Sequence, residues 1–280
     1  MTNIQISADD FEKFREFFYR KTGIQFDTAK RYFVDKRLVE RIEATCNATF
    51  RNYFTFLRFQ ASGEELQNLT NLMTVNETYF FREEYQFKCL VDSILPELVA
   101  RKTDTGPLRI WVIPSSSGEE AYSIAIYLLE LWAGIHQWDV EIISSDIDTK
   151  ILNQAREGLY GARAVQHLPS SYLQKYFKRI GDGFQINDEL REAVEFTRVN
   201  LAERTDTRSY RNFDMIFCRN LLIYFDDISR KSAAETFYDV LKPGGFICLG
   251  HSESMSRISS LYKIRKFPEA IVYQKPLEAQ

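Results

Sequence analysis

The feature of this sequence that most constrains its fold is an alternation, beginning near Leu108, of short apolar segments with helix-length amphipathic segments. Strands buried on both faces of a sheet read as continuous apolar runs, and their alternation with helices is typical of β-α-β units. The apolar segments are residues 109–113, 140–144, 213–218 and 246–249. The sequence therefore predicts an α/β, Rossmann-like domain built on a parallel sheet.

The region before this alternation is predicted to be helical. Up to about residue 72, apolar side chains recur at steps of three and four residues, which is the period of an amphipathic helix. They are Phe11, Phe14 and Phe18, followed by Val34, Leu38 and Ile42. We therefore expect an all-helical domain over residues 1–72 and a second domain over residues 73–280.

Two features modify this outline. Thr74 and Glu77 have the spacing of a capping box, which predicts a linking helix from residue 74 to about residue 100. Residues 176–200 interrupt the β-α alternation: segments 184–186 and 194–199, with a glycine-containing turn at 181–183, predict a small antiparallel β-subdomain inserted in the second domain.

Composition excludes several classes of protein. A formal net charge of −3 gives no overall field that attracts nucleic acid, so we expect no nucleic-acid partner. The N-terminus lacks the basic and apolar regions of a signal peptide, and the apolar runs are too short to span a bilayer, which predicts a cytoplasmic protein without membrane insertion. Cys46, Cys89, Cys218 and Cys248 lack metal-ligand spacing, which indicates buried, reduced thiols and no metal site.

A ligand site is predicted at the carboxyl ends of the first two strands of the sheet. After strand 109–113, loop 114–118 leads to Glu119 and Glu120 at the start of a helix, whose N–H groups and dipole favour a ligand carboxylate. Asp146 ends the second strand, where an acidic side chain can accept hydrogen bonds from ribose hydroxyls. A carboxylate, an ammonium for Glu119 or Glu120, and a ribose together favour S-adenosylmethionine. The alternative is that these residues only cap helices.

Five sequence blocks, in this order, resemble those of the chemotaxis receptor methyltransferases, and the resemblance spans nearly the whole chain. The blocks are NETYFFRE at 76–83, SGEEAYS at 117–123, DID at 146–148, FCRNLLIYF at 217–225, and LKPGG at 241–245 followed by GHSES at 250–254. The resemblance implies an S-adenosylmethionine-dependent methyltransferase domain with a β-subdomain, behind a helical domain that helps to hold the receptor. The implied reaction forms methyl esters on receptor glutamates during chemosensory adaptation.

The resemblance also implies residue roles. The implied cofactor contacts are Asn76, Thr78, Arg82, Glu119, Glu120, Asp146, Asn200, Leu201, Asn220 and Leu221. Arg82, Arg219 and Tyr224 correspond to positions around the transferred methyl group. Pro114 departs from the small residue or glycine that such enzymes commonly carry in the first loop, so one backbone N–H donor is missing there.

The chemistry of this reaction favours orientation over proton transfer. A glutamate carboxylate is already ionised near pH 7, so no general base is required. The planar guanidinium of arginine matches a carboxylate, which makes Arg82 or Arg219 the expected substrate clamp, with the Tyr224 hydroxyl near the sulfur. The structural alternatives are a surface pair of Arg82 with Glu83 or Glu84, and a core ring for Tyr224.

The histidines are expected to be non-catalytic because the reaction needs no proton shuttle. They are His136, His167 and His251. His251 follows a predicted strand and is the one that we expect to line the pocket.

A basic helix face is the predicted receptor contact. Lys30, Arg37 and Arg41 recur at steps of seven and four residues beside an apolar stripe, and such a face can dock on an acidic receptor segment. The β-subdomain is a second candidate, since in relatives it can bind a receptor tail as an added strand. Its turn at 181–183 is short, so we expect no dependence on such a tail.

Two other functions remain open on the sequence alone. One is a methyltransferase of another substrate class on the same fold, and the other is a module that binds S-adenosylmethionine and a partner without turnover.

Overall fold

The computed structural model describes residues 4–277, and its N-terminal part is helical. The helices are α1 (Ala8–Thr22), α2 (Arg31–Ala44), α3 (Phe50–Phe59) and α4 (Glu64–Met73). A capping box starts α1: the Ser7 hydroxyl accepts from the Asp10 N–H, and the Asp10 carboxylate accepts from the Ser7 N–H. The predicted apolar residues pack into one fully buried cluster, which confirms the helical period.

The predicted linking helix from Thr74 was wrong. Residues 74–84 are non-helical, and the helix begins with α5 (Tyr85–Cys89), which passes through a π-helical turn (Leu90–Ile94) into α6 (Leu95–Arg101). The reason is a long-range contact. Thr74 donates its hydroxyl to Asp148 Oδ2 at 2.7 Å, and Asn76 Nδ2 donates to the same oxygen at 2.9 Å, so the segment is tied to the second domain.

The second domain is a Rossmann-like α/β fold, as predicted. Its main sheet runs in the order β6-β2-β1-β7-β8-β10-β9. The strands are β1 (Leu108–Val112), β2 (Val140–Asp146), β6 (Val194–Arg198), β7 (Phe213–Cys218), β8 (Leu241–Leu249), β9 (Lys263–Lys266) and β10 (Ile271–Gln274). The neighbouring strands β6, β2, β1, β7 and β8 are parallel to one another, whereas β10 is antiparallel to both of its neighbours, β8 and β9.

Helices cover both faces of the sheet. They are α7 (Glu119–Leu131), α8 (Thr149–Glu157) and α12 (Asp227–Val240). Alternate residues of one strand enter different cores: Ile110 packs in the cluster that contains α7, and Trp111 packs in the cluster that contains Phe237 of α12. This two-sided burial is why the strands read as continuous apolar runs.

The inserted antiparallel sheet exists, but its predicted extent was wrong. Its strands are β3 (Leu159–Tyr160), β4 (Phe177–Ile180) and β5 (Gly183–Ile186), in the order β3-β5-β4, with helices α9 (Ala162–Val165), α10 (Ser170–Tyr176) and α11 (Asp188–Glu192) around them. The predicted partner segment 194–199 is instead β6, which pairs parallel with β2. Its Phe196 is buried against Tyr122 of α7, with ring centroids 5.5 Å apart.

The helical domain lies against the carboxyl edge of the main sheet. Gln67 donates to the carbonyl of Ile147 at 2.8 Å, just after β2. The Gln25 N–H donates to the carbonyl of Tyr224 at 3.1 Å, after β7. Since loops from parallel strands gather at this edge, the helical domain covers the place where a ligand site is expected.

The predicted basic docking face does not present three free charges. Arg41 donates two hydrogen bonds to the carboxylate of Glu65, which is only 3% exposed, at 2.6 and 2.9 Å. Arg37 donates to the carbonyl of Leu72 at 2.5 Å, and its guanidinium stacks on Phe33. Arg37 and Arg41 therefore stabilise their own domain, whereas Lys30 is exposed.

The cysteines were predicted to be buried, and this was wrong for Cys46. Cys89, Cys218 and Cys248 are buried, whereas Cys46 is exposed at the end of α2. Within residues 4–277, no helix combines the length and apolarity needed to cross a bilayer. The same residues contain no group of three or more His, Cys, Asp or Glu side chains that could hold a metal ion.

The pairing of Arg41 with Glu65 generates a stability prediction. Arg41→Leu leaves the Glu65 carboxylate buried with only the Tyr53 hydroxyl as a donor, so the free energy of unfolding should fall by about 3 kcal/mol. The double variant Arg41→Leu/Glu65→Leu should lose less than Arg41→Leu, because no buried charge is left unpaired. Urea unfolding of the three proteins measures both values. A double variant less stable than Arg41→Leu would contradict the assignment.

Candidate active site

A cavity of about 380 Å³ opens at the carboxyl edge of the main sheet, between the two domains. This volume lies in the range of small-molecule sites. Most predicted site residues line it, namely Asn76, Thr78, Arg82, Glu120, Asp146, Arg219, Asn220, Leu221 and Tyr224. The helical domain adds Phe26, Lys30 and Phe33 to the same wall.

Asp146 lies in the cavity as the last residue of β2. Its Oδ2 accepts the Ser116 N–H at 2.8 Å and its Oδ1 accepts the Asp148 N–H at 3.0 Å, so the carboxylate joins the loops after β1 and β2. Each oxygen keeps acceptor capacity for a further donor. Burial raises the pKa of Asp146 to about 6, against the opposing effect of the two backbone donors.

The loop after β1 offers hydroxyl groups to the cavity. The N–H groups of Ser115 and Ser116 already donate to Ser145 O and to Asp146. The hydroxyl oxygens of Ser115 and Ser116, in contrast, are buried and have no hydrogen-bond partner among the described residues. Unpaired buried polar atoms are costly, which indicates that a polar ligand group satisfies them. Pro114 also lines the cavity, so its missing N–H is placed beside the ligand site.

The adjacent residues Glu119 and Glu120 have different surroundings, and only Glu120 lines the cavity. Glu119 is buried, accepts the Ser117 hydroxyl at 2.7 Å, and is not among the residues that line the cavity. Glu120 lines the cavity, and its Oε1 is buried without a hydrogen-bond partner. Burial raises the pKa of Glu120, and the nearby Arg219 charge opposes that shift. Of the predicted pair, Glu120 is therefore the one placed to accept hydrogen bonds from an ammonium group.

The two candidate clamp arginines differ in accessibility. The side chain of Arg219 is 1% exposed, lies 3.2 Å from Glu120 Oε2, and donates to the carbonyl of Arg82 at 2.5 Å. It is thus enclosed, with Glu120 and Glu83, at 3.6 Å, as its ionic partners. Arg82 is partly exposed, donates to the carbonyl of Glu77 at 2.7 Å, and has no carboxylate within salt-bridge distance in the described chain. Arg82 is the arginine that can bind an incoming carboxylate.

Backbone strain surrounds Arg82. Its neighbours Phe81 and Glu83 have φ values of 62° and 54°, in the left-handed region that non-glycine residues rarely adopt. The Phe81 N–H is held by the Ser123 hydroxyl at 3.1 Å. Such strain persists only where surrounding contacts impose it and is concentrated at functional sites. Tyr224 stands nearby: burial raises the pKa of its hydroxyl, and the charge of Arg82 opposes the shift.

Asn200 and Leu201 do not line the main cavity. They line an adjoining recess of about 40 Å³ that shares Asp146 with it. The Asn200 side chain is engaged by the protein, because its Nδ2 donates to the carbonyl of Lys21 at 2.7 Å and its Oδ1 accepts the Ala202 N–H. Any contact from this segment to a ligand therefore comes from backbone groups or the Leu201 side chain.

The histidines lie outside the cavity lining. His251 was expected to line it, but its ring is exposed, with Nδ1 3.4 Å from Glu83 Oε1. Ring centroids of His167 and Tyr79 are 4.9 Å apart, and His136 ends a 3₁₀ turn.

Sequence reasoning missed two groups of site residues. The sequence predicts Ser115 as part of a loop and Ser116 as part of that loop or as a helix cap, although their position between a strand end and a helix start was a usable signal for a site. Phe26, Phe33 and Met73 are not singled out by the sequence, because they also pack in or against the core of the helical domain and nothing in their spacing distinguishes a cavity wall from a core.

Two family models match the chain. The model described as "CheR methyltransferase, all-alpha domain" matches residues 9–74. The model described as "CheR methyltransferase, SAM binding domain" matches residues 76–271, which include every cavity residue from Asn76 onward.

Curated relatives match nearly the full length of the chain. A chemotaxis protein methyltransferase 2 of Vibrio cholerae is 54% identical over 277 residues, covering 99% of this chain and 96% of that protein. A chemotaxis protein methyltransferase 2 of Pseudomonas aeruginosa is 37% identical, covering 92% and 90%. The chemotaxis protein methyltransferase of Salmonella typhimurium is 35% identical, covering 94% and 89%.

The geometry of Asp146 generates a pH prediction for binding of S-adenosylhomocysteine. The ionised carboxylate accepts ribose hydroxyls better than the acid, so affinity should be full well above the pKa of about 6 and fall as the pH drops through it. Asp146→Asn should bind about tenfold more weakly at neutral pH, with a shallower acid limb. Calorimetry between about pH 5 and pH 8 measures both effects.

The matched control is Glu141→Gln, which removes an exposed carboxylate near the other end of the same strand. This variant should bind like the parent protein. If Asp146→Asn keeps the parent affinity at neutral pH, Asp146 does not contact the ligand.

Proposed function

The chain belongs to the CheR methyltransferase family, and we propose on this premise that it esterifies glutamate side chains of chemotaxis receptors. As a member of this family it is an S-adenosylmethionine-dependent methyltransferase. The observation that carries the receptor proposal is the Arg82 guanidinium, which has no carboxylate partner among the described residues and shares a cavity with the acceptor side chains Glu120 and Asp146. A cation that can orient a carboxylate thus lies beside the groups suited to the cofactor.

The residues of the cavity fit the polar groups of S-adenosylmethionine. We assign the ammonium to Glu120, whose Oε1 is otherwise unpaired, and the amino-acid carboxylate to the hydroxyls of Ser115 and Ser116. Asp146 would accept hydrogen bonds from the ribose hydroxyls, and Asn200 and Leu201 border the adjoining recess that shares Asp146. Asn76, Thr78, Asn220 and Leu221 complete the wall. When bound, the cofactor supplies a methyl group on a sulfonium.

The chain's own residues orient the acceptor. A guanidinium matches a carboxylate, so Arg82 binds the receptor glutamate and holds one oxygen toward the methyl group. Tyr224 stands beside it on the cavity wall and, with the covering helical domain, helps to exclude water from the carboxylate. Arg219 acts through Glu120, since its side chain is enclosed. No proton has to be removed, which agrees with the absence of histidine from the cavity lining in residues 4–277.

Receptor docking is assigned to the mouth of the cavity. Lys30 lies there, with its ammonium 5.7 Å from the centroid of the Tyr224 ring. The exposed apolar residues Val75 and Ile223, and the partly exposed Phe33, line the same cavity. One cation beside apolar side chains suits an amphipathic helix that carries glutamates. The two-residue turn of the β4–β5 hairpin remains the reason to expect no requirement for a receptor tail.

The proposed function is tested by transfer of labelled methyl from S-adenosylmethionine to receptor-containing membranes. The product should be base-labile, as an ester is. Arg82→Ala should retain the thermal midpoint but lower kcat/KM by about a hundredfold, because the acceptor is no longer oriented. The control is Arg20→Ala, which removes an exposed arginine that pairs with Glu16 on α1 and should leave transfer unchanged, since neither residue lines the cavity.

Two outcomes would count against this assignment. Label that stays on the protein after base treatment would exclude a glutamate ester. An Arg82→Ala variant that unfolds at a lower temperature while its folded fraction keeps full turnover would make Arg82 a structural residue.

The docking assignment is tested separately. Lys30→Glu should raise the KM for receptor by about fivefold or more, because it reverses a charge at the mouth of the cavity. The affinity for S-adenosylhomocysteine should not change. Lys36→Glu, an exposed lysine of α2 that does not line the cavity, is the matched control and should behave like the parent. Equal effects of the two variants would mean that overall charge, rather than the cavity mouth, controls docking.

A further inference from the structure

The carboxylate of Glu253 connects the ends of two neighbouring strands. Its Oε2 accepts the Asn220 N–H at 2.8 Å, two residues after β7, and the Gly250 N–H at 2.9 Å, directly after β8. Its Oε1 accepts the Ile223 N–H at 3.3 Å. We call these three contacts the Glu253 bridge. Glu253 itself is not among the residues that line the cavity.

The loop held by this bridge carries much of the cavity wall. Arg219, Asn220, Leu221 and Tyr224 all line the cavity and lie within six consecutive residues. Asn220 has a φ of 59°, in the left-handed region that, apart from glycine, asparagine adopts most readily. Its N–H is the group that Glu253 binds, so the bridge acts at this turn of the backbone.

Gly250 shows how closely the two strand ends approach. A Cβ atom at this position would lie 2.8 Å from Asn220 Nδ2 and 3.0 Å from both Asn220 N and Glu253 Oε2. Distances below about 3 Å are not tolerated without movement. A larger residue at position 250 would therefore displace Asn220 or the Glu253 carboxylate.

We propose that Glu253 is a positioning residue for methyl transfer, which fixes the 219–224 loop so that Tyr224 and the Arg219–Glu120 pair face the reacting groups. This role rests on the proposed function. It differs from a merely structural tie because the groups that it fixes line the cavity, whereas Glu120 and Asp146 reach the cofactor from α7 and β2. Asn220 and Leu221 of the loop also border the cofactor, but the acidic side chains assigned to its ammonium and ribose lie outside the loop, so loss of the bridge should lower turnover by a larger factor than it lowers cofactor affinity.

Two variants disturb the bridge in different ways. Glu253→Gln has the same shape but replaces one acceptor oxygen by an NH₂ group that faces backbone N–H donors. Gly250→Ala keeps the carboxylate and pushes Asn220 away through its new methyl group. The control is Asp214→Asn. Asp214 is a buried carboxylate near the start of β7, at the edge of the sheet opposite the cavity, and it accepts hydrogen bonds from the Arg109 N–H and the Lys242 ammonium.

The readout is kcat for receptor methylation per S-adenosylhomocysteine-binding site, with sites counted by calorimetry. For Glu253→Gln and Gly250→Ala, kcat per site should fall about tenfold or more, while the Kd for S-adenosylhomocysteine changes by less than about threefold. Asp214→Asn should lower the thermal midpoint without changing kcat per site. Parent activity on receptor is measured in parallel, so a failure of the proposed function is recognised independently.

The proposal is overturned if Glu253→Gln retains the parent kcat per site while the parent enzyme methylates the receptor. It is also overturned if Asp214→Asn lowers kcat per site by the same factor, since general destabilisation would then explain the loss. If Glu253→Gln does not fold, Gly250→Ala decides: a tenfold loss per site supports positioning, and parent turnover excludes it.

Discussion

At the carboxyl edge of a parallel sheet, backbone N–H groups lose their strand partners, and here carboxylates accept hydrogen bonds from them. Asp146 joins the loops after β1 and β2 by accepting from Ser116 and Asp148. Asp148 in turn accepts the N–H groups of Lys150 and Ile151 at the start of α8. Glu253 repeats the arrangement between β7 and β8. Buried backbone donors need partners, and these carboxylates supply them, which holds the loops in place at the edge of the cavity.

The helical domain depends on the same edge. Asp148 also accepts hydrogen bonds from Thr74 and Asn76, which holds the segment leading to Arg82 against the sheet. Strained residues follow from this crowding: Phe81, Glu83 and Ser116 all have positive φ, and each lies in or beside the cavity wall. Strain of this kind is offset by contacts elsewhere and fixes side chains in place before a ligand arrives.

The fold class could be predicted because it depends on local pattern, whereas most of the predicted cavity residues, such as Asn76, Arg82 and Tyr224, are implied only by the family resemblance. Buried strands and the helical period are visible as apolar spacing, and Asp146 follows from its place at a strand end. Thr74 could not be predicted, because its partner Asp148 is 74 residues away and competes with the local capping box. Arg41 was misread for the same reason, since Glu65, which neutralises it, belongs to another helix. Spacing predicts burial, but it does not identify the partner of a polar side chain.

The strand order at the other side of the sheet has a consequence for folding. Strand β9 precedes β10 in the chain yet lies beyond it in the sheet, and its pairing is with β10 alone. The two strands pair as a hairpin turned at residues 267–270, and this hairpin joins the sheet only through β10, which leaves β9 at the border. Lys263 and Lys266 lie on β9 and are exposed. Lysines on an outer strand discourage pairing with other molecules, which protects nascent chains from aggregation while the border is incomplete.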